Sequence, residues 1–386
     1  MPGVPLKLLL VINLLSPDGG AEMQLQHLAK GLAANGHEVT LCCVDSCELP
    51  PQALAGTGVE LVELGVSGRS GRPAAIPRLA RLAREADVVH CTMWDASLWG
   101  RLGGVLARRP VVVADHATDR SVQVAADGSS RARWIALHNR LLDRFTFATV
   151  TCAGSQRRLL LSEGVSPARI VHIPNGVPVA ALAAAATSGP SRADLDLPAA
   201  APVAIQVGVF RTEKNQIGAL EAFARVREDL PEVRLVFAGD GATRKQVERR
   251  AAELRGEEWV RFLGNRSDVP ALLALSDLLL LPSTSDAMPM TVLEGMALGV
   301  PVLATDVGDV RPVVGDAGVC VPAGDPAAFG EAATEILRDA ALRDRLGRAG
   351  LEQIPAYDAA TMVRRYEALF AAARDGGDPI AAVDAV

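Results

Sequence analysis

The stretch Leu278–Val302 reads LLLLPSTSDAMPMTVLEGMALGVPV, and the fold is decided there. It opens with an unbroken apolar run, Leu278 to Leu281, closed by Pro282. A run that short, stopped by a proline, predicts a strand buried on both faces of a parallel sheet. A polar loop follows, Ser283 to Ala287. Pro289 then suits the first turn of a helix, where its missing N–H is no loss. The helix is expected to run to Leu298 and stop at Gly299. Val292, Leu293, Met296 and Ala297 cover one side, and Met290 and Leu298 share the stripe of Glu294. A helix apolar nearly all round is a buried one.

Burying Glu294 is costly unless strong donors meet it. Asp286 lies eight residues earlier, in the loop at the strand's C-terminal end. Open α/β sheets bind ligands at that edge. The free N–H groups of Met290, Thr291 and Val292 would face an anion held in the loop. Strand, acid, helix N-terminus and second acid together describe a seat for a phosphorylated, hydroxyl-rich ligand. Taken singly, Asp286 reads as a loop or capping acid and Glu294 as the partner of a surface arginine; the spacing joins them.

The stretch resembles the acidic signature of retaining glycosyltransferases of family GT4 (glycosyltransferase group 1). That family reads Ser-x-x-Glu, seven residues, then Glu-Ala-Met-Ala-x-Gly-x-Pro-Val. Here Ser283-Thr284-Ser285-Asp286 leads to Glu294-Gly295-Met296-Ala297-Leu298-Gly299-Val300-Pro301-Val302. The departures are Asp286 for the first glutamate and Gly295 for alanine. The resemblance implies the GT-B fold, an α/β architecture of two facing Rossmann-like, doubly wound domains with an interdomain cleft.

Bulk properties agree with a two-domain soluble protein. At 386 residues the chain suits two domains better than one, and its 49% hydrophobic and 22% charged content is ordinary. A net charge of −6 argues against nucleic acid as the main partner. The six cysteines form no CxxC pair and read as reduced thiols of a cytoplasmic protein. The run Leu6–Leu15 carries one charge, Lys7, and ends in no small-residue cleavage site, so it reads as a first strand rather than a signal peptide.

Strands and helices alternate through the first half, residues 1–179. After the strand at Leu8–Ile12 come Gly19 and Gly20 and a helix from about Glu22 to Ala34. A glycine turn between strand and helix can hold a phosphate at the helix start or be a plain tight turn. It is not the GxGxxG fingerprint of a dinucleotide oxidoreductase. The strand Val111–Ala114 runs into His116, which could be a polar contact at the ligand edge or a histidine bonding the local backbone. His90 holds a similar place. Arg131–Phe147 reads RARWIALHNRLLDRFTF and predicts a helix with two readings. Either a solvated basic face lies over a core-facing stripe of Trp134, Leu137, Leu141 and Phe145, or the helix rests on an anionic membrane surface. Ser155 suits a helix cap, and Asn175-Gly176 suits a turn with positive backbone φ.

Residues 180–202 are rich in Ala, Pro, Ser and Asp and predict a linker. The second domain is expected over 203–356. Its first strand, Val203–Val207, leads into Gly208-Val209-Phe210-Arg211-Thr212-Glu213-Lys214-Asn215 and a helix at Gln216–Asp229. Two cations just past a strand are placed for a diphosphate, arginine as a planar fork and lysine as a point charge. Gly264-Asn265-Arg266 is a further turn at a strand's end. A last helix at about 357–374 would cross back to the first domain, with a disordered tail from Asp375.

The family resemblance assigns roles to these positions. Gly19 and Gly20 approach the donor phosphates and the acceptor. His116 contacts the transferred sugar. Arg211 and Lys214 neutralise the leaving nucleoside diphosphate, although many members carry arginine where this chain has Val209. Arg266 lies beside the base. Asp286 faces the sugar, Met290 and Thr291 offer amides, and Glu294 holds the ribose. The implied reaction is a retaining transfer of a hexose-type sugar from a nucleoside diphosphate, UDP before GDP, to a glycan, lipid-linked or small-molecule acceptor. Neither metal nor cofactor is expected, since arginine and lysine serve the diphosphate and no Asp-x-Asp lies in a suitable loop. Two rivals remain: a nucleotide-sugar epimerase or hydrolase of the same fold, and a non-catalytic nucleotide-sugar-binding subunit. The protein is expected in the cytoplasm of a bacterium, with peripheral contact to the inner face of the membrane as the second reading of Arg131–Phe147.

Overall fold

The computed structural model of the protein describes residues 4–17, 19–66, 72–116 and 129–386. Ser67–Pro73, a glycine-rich stretch that reads as a loop, and Thr118–Ser130, which reads as a second loop on the acceptor side, fall largely outside the described residues. The chain divides into two compact units, residues 1–176 with 359–386, and residues 177–358.

The first unit runs β1 (Lys7–Leu15), α1 (Gly20–Ala34), β2 (Glu38–Cys47), β3 (Val59–Glu63), α2 (Ala75–Glu85), β4 (Val88–Thr92), α3 (Trp94–Ala107), β5 (Val111–Ala114), α4 (Ser129–Leu142), β6 (Ala148–Thr151), α5 (Gly154–Ser162) and β7 (Ile170–His172). Its strands form one sheet in the order β3-β2-β1-β4-β5-β6-β7, all pairs parallel. The sheet is covered on both faces, which is why its central strands are continuous apolar runs. Alternation splits β1 between two cores. Leu8, Leu10 and Ile12 pack with α1, while Leu9 and Val11 pack with α2.

The second unit runs α6 (Val179–Ala186), β8 (Val203–Val207), α7 (Gln216–Asp229), β9 (Arg234–Ala238), α8 (Arg244–Glu253), β10 (Val260–Gly264), α9 (Val269–Ala274), β11 (Leu278–Leu281), α10 (Met290–Ala297), β12 (Val302–Thr305), α11 (Val310–Val314), β13 (Gly318–Val321), α12 (Pro326–Arg338) and α13 (Ala340–Gln353). Its sheet is also wholly parallel, in the order β10-β9-β8-β11-β12-β13. The strand order reverses direction between β8 and β11, so loops leaving those two strands part around a crevice at their C-terminal ends. The chain then returns to the first unit as α14 (Ala359–Asp375) and α15 (Pro379–Asp384).

Several expectations need correction. The tail beyond Asp375 is not disordered: α15 forms under an Asp378 cap and buries Val383 in the first unit's core. Neither Asn175 nor Gly176 has a positive φ. Glycine is required at 176 for a different reason, since a Cβ there would lie 2.8 Å from the Ala359 Cα as α14 passes. Ser155 does not cap α5; the N-cap is Ala153, and Gln156 Oε1 accepts the N–H groups of Cys152 and Ala153. Pro289 is an N-cap and not a first-turn residue, and Leu298 is the C-cap. Residues 180–202 carry α6 and are tied into the second unit by Arg192. Its guanidinium donates to the Leu275 and Ala201 carbonyls and to the Asp277 carboxylate at 2.9 Å. Finally, α4 ends at Leu142, and its apolar stripe does not face the core. Trp134, Leu137, Leu141 and Phe145 are all exposed, while Ile135 and Asn139 are buried.

Candidate active site

The crevice of the second unit is built by two loops that leave neighbouring strands. After β8 the chain turns through Gly208–Arg211 into a 3-10 turn, Thr212–Lys214, and Asn215 closes it at φ 50°. Asparagine tolerates that left-handed conformation better than most residues. Its side chain then caps α7 by accepting the Gly218 N–H at 3.2 Å. After β11 the chain passes Pro282–Pro289 and enters α10.

The two loops are laced together through backbone groups. Asn215 Nδ2 donates to the Pro282 carbonyl at 3.1 Å, and the Thr284 N–H donates to the Glu213 carbonyl at 2.8 Å. Gln206, buried in β8, donates to the Lys214 carbonyl at 2.7 Å. From the far side, Gly308 presses on the Asp286 backbone so closely that a Cβ would overlap the Asp286 carbonyl oxygen. The outcome is an ion pair across the switch point: Lys214 Nζ meets Asp286 Oδ2 at 2.6 Å, both side chains largely covered. An ammonium held beside one carboxylate keeps donors for a second anion.

Arg211 stands on the same turn, exposed; its carbonyl accepts the Lys214 N–H at 3.0 Å, and its guanidinium has no hydrogen bond or ion pair among the described residues. Four residues after Asp286, α10 begins. The Val292 N–H is taken by the Pro289 carbonyl at 3.2 Å, which leaves the Met290 and Thr291 amides without partners among the described residues. Glu294 lies one turn further in and is 7% exposed. No donor meets it among the described residues, and burial pushes its carboxyl up to about 7. The helix can lie this close to the sheet because residue 295 is glycine. A Cβ on Gly295 would come 2.5 Å from Leu279 Cδ2.

The remaining predicted site residues are placed as follows. Arg266 follows β10, two strands from β8, and its guanidinium is forked onto Asp268 at 2.8 and 2.6 Å. In the first unit Gly19 is the N-cap of α1 and Gly20 its first residue. A Cβ on Gly19 would fall on the Glu22 carboxylate, so the helix start already carries an acid over its first turn. His116 lies two residues past the end of β5, half-buried, and burial lowers its pKa, so the imidazole is neutral near pH 7. His90 is buried against Tyr366 and Phe370, ring centroids 5.4 and 5.7 Å away, and burial carries its pKa down to about 3. It is part of the first unit's interior.

Thus one crevice in the second unit gathers Arg211, Lys214, Asp286 and the start of α10, with Glu294 behind it. Sequence reasoning missed the residues that lock the two loops, namely Gln206, Asn215, Thr284 and Gly308. Only Asn215 carried a signal, as an asparagine between a turn and a predicted helix. Two cations and two free amides suit a di-anionic phosphate group, and a buried carboxylate without protein donors suits a ligand that brings its own hydroxyls.

Among the described residues no three His, Cys, Asp or Glu side chains gather as a metal site. No helix among them is long and apolar enough to cross a membrane.

Comparison with known proteins points the same way. Residues 189–353 match the family model described as "Glycosyl transferases group 1", and residues 19–176 match "Glycosyl transferase 4-like domain". The N-acetyl-alpha-D-glucosaminyl L-malate synthase of Bacillus anthracis is 30% identical over 44% of this chain and 45% of its own length. EpsD of Bacillus subtilis, described as a glycosyltransferase, is 33% identical over 42% of the chain and 43% of its own. These two alignments therefore span less than half of those relatives. The phosphatidyl-myo-inositol mannosyltransferase of Mycobacterium leprae is 28% identical over 90% of this chain and 93% of its own. Among solved structures, Anabaena HepE in complex with UDP and glucose shares the fold with a TM-score of 0.81 at 19% identity, covering 94% of this chain and 98% of that one.

Proposed function

Because the chain belongs to the glycosyltransferase group 1 family, we propose that it moves a hexose-type sugar from a nucleoside diphosphate, UDP before GDP, to a hydroxyl acceptor with retention at the anomeric carbon. The observation that carries this is the Lys214–Asp286 pair at 2.6 Å, set at the switch point of a parallel sheet beside the open amides of α10. A HepE structure holding UDP and glucose supports UDP as the donor nucleotide.

In this mechanism Arg211, Lys214 and the Met290 and Thr291 amides hold the diphosphate and stabilise the charge that grows on it. Glu294 accepts hydrogen bonds from the ribose hydroxyls. Asp286 faces the sugar, and His116 of the first unit, with the Gly19-Gly20 turn, serves the sugar and acceptor side. Arg266 and its turn lie beside the base. The anomeric carbon–oxygen bond to the diphosphate breaks, the acceptor oxygen attacks the same face, and the departing phosphate oxygen takes the acceptor proton. No metal enters the step, since the cations and amides already balance the leaving group. The acceptor is a glycan, a lipid-linked glycan or a small molecule.

Calorimetry with UDP and GDP tests donor binding, with UDP expected to bind more tightly. Proton NMR of the product tests the stereochemistry, and an α-donor should give an α-linked product. An inverted linkage would overturn the retaining mechanism. Rapid donor turnover with no acceptor present would favour an epimerase or hydrolase, and tight UDP binding with no transfer to any acceptor a binding subunit.

A further inference from the structure

Helix α4 carries an exposed surface of unusual composition. Trp134 is 58% exposed, Leu137 45% and Leu141 55%, and Phe145, just past the helix end, is 40% exposed. At about 100° per residue, Trp134, Leu137 and Leu141 fall within about 60° of one another around the helix. They form one outward stripe. The opposite side faces inward: Ile135 is fully buried, and Asn139 bonds to Arg101 at 3.3 Å and to Glu163 at 2.7 Å. Those inward bonds fix which face of the helix is turned to solvent.

The stripe is flanked by cations. Arg133 and Arg140 lie about 100° to 120° from Trp134 on the Leu137 side, and both are exposed. Arg144 lays its guanidinium over the Phe145 ring, 4.5 Å from the centroid. No Asp or Glu occurs between Arg133 and Leu142 in a chain whose net charge is −6. At the other side of the stripe, His138 packs on the Trp134 ring at 5.2 Å and on Trp94 at 6.2 Å, which holds the indoles in place. Scattered exposed apolar residues need no explanation, but an aligned run of Trp, Leu, Leu and Phe beside Arg133, Arg140 and Arg144 does; the acid among them, Asp143, is largely covered and lies 3.9 Å from the Arg169 guanidinium.

We propose that this face of α4 docks on the surface of an anionic lipid bilayer. The indole and the two leucines would enter the boundary between headgroups and acyl chains, and Arg133, Arg140 and Arg144 would lie level with the lipid phosphates. Charge complementarity selects this occupant: the chain as a whole is acidic, and this row of cations beside exposed apolar side chains matches an anionic plane. Arginine stems cover apolar surface while their heads reach the phosphates.

Vesicle co-sedimentation of the full chain tests the proposal. The chain should pellet with vesicles holding about one third phosphatidylglycerol in phosphatidylcholine, release as salt is raised, and ignore pure phosphatidylcholine. The double variant Leu137→Glu, Leu141→Glu should lower the pelleted fraction by about tenfold or more. Its melting temperature should stay within a few degrees of the parent, because both side chains are already exposed. Pelleting that is equal for parent and variant, or no pelleting with anionic vesicles at low salt, would overturn the proposal. So would a dimer of the parent in sedimentation velocity that the variant converts to monomer, because a second copy of the chain would then be the occupant.

Discussion

Replacing Glu294 by glutamine should move stability and donor affinity in opposite directions. Burial raises the carboxyl from 4.5 to about 7. Between those two values the folded chain keeps a proton that the unfolded chain has lost, so stability falls as pH rises through that window and levels off above it. At about 1.4 kcal/mol per pH unit, the ionised side chain costs the folded state about 3 kcal/mol above pH 7. Glutamine has nearly the same shape and no charge. Parent and Glu294→Gln should therefore melt close together at pH 5, whereas at pH 8 the variant should melt higher, by on the order of 5–10 °C for a unit of this size. Donor binding should run the other way. Ribose hydroxyls that donate to the carboxylate favour its ionised form, so parent UDP affinity should be about tenfold weaker at pH 6 than at pH 8. That dependence should vanish in Glu294→Gln, whose affinity should be low throughout; the variant also removes the titration of UDP itself from the comparison. Differential scanning calorimetry and isothermal titration at the two pH values make the test. A variant no more stable than the parent at pH 8 would mean that Glu294 has protein donors. Unchanged UDP affinity would return it to a purely structural role.

Other residues of the crevice give sharper single outcomes. Lys214→Ala should lower transfer by about 100- to 1000-fold with the melting temperature little changed, and near-normal turnover would remove Lys214 from the mechanism. Asp286→Glu should leave transfer unchanged or raised, measured as initial rate at saturating donor; complete loss would mean that the carboxylate has a different geometry here from that of the family. Gly295→Ala would force a Cβ to 2.5 Å from Leu279 Cδ2, and such overpacking should cost about 1–3 kcal/mol in thermal melting. An unchanged melting temperature would show that the helix can lift from the sheet.

The fold was legible because parallel strands covered on both faces leave a simple trace. Val111–Ala114 and Leu278–Leu281 are short apolar runs, and their ends in the structure coincide with those read from sequence. Each lies deep enough that the hydrophobic effect alone sets its composition. The sequence also located the crevice, because a buried run followed by a polar loop and a helix start can have only one edge at which the loop emerges. What it could not supply was side-chain pairing. Lys214 and Asp286 are far apart in sequence, and only the order β8-β11 in the sheet makes them neighbours. The family resemblance puts Arg266 beside the base, yet Asp268 two residues on holds its guanidinium. The contents of 180–202 were hidden for a related reason. An alanine-rich helix has no hydrophobic period to detect, and the Arg192 guanidinium that helps tie the segment to its unit reaches Asp277, over eighty residues away.

Helix α4 failed for another reason, and that failure is informative. Periodicity shows that a helix has an apolar face, not that the sheet is what covers it. Residues 134, 137 and 141 satisfy the pattern of a core stripe as well as any in the chain. The structure turns that stripe outward because Asn139 satisfies Arg101 and Glu163 on the inner side, where Arg101 is itself buried. Once a buried guanidinium has to be paired, the polar side of the helix is held inward whatever the apolar side prefers. A hydrophobic stripe displaced to the surface in this way loses its burial within the chain and recovers it only against something else. Asn139→Leu separates the two forces. It should free Arg101 and lower the melting temperature of the first unit, while vesicle binding through the outward stripe should survive wherever the helix remains folded. Loss of vesicle binding with the helix intact would mean that the arginines and apolar residues of α4 do not act as one surface.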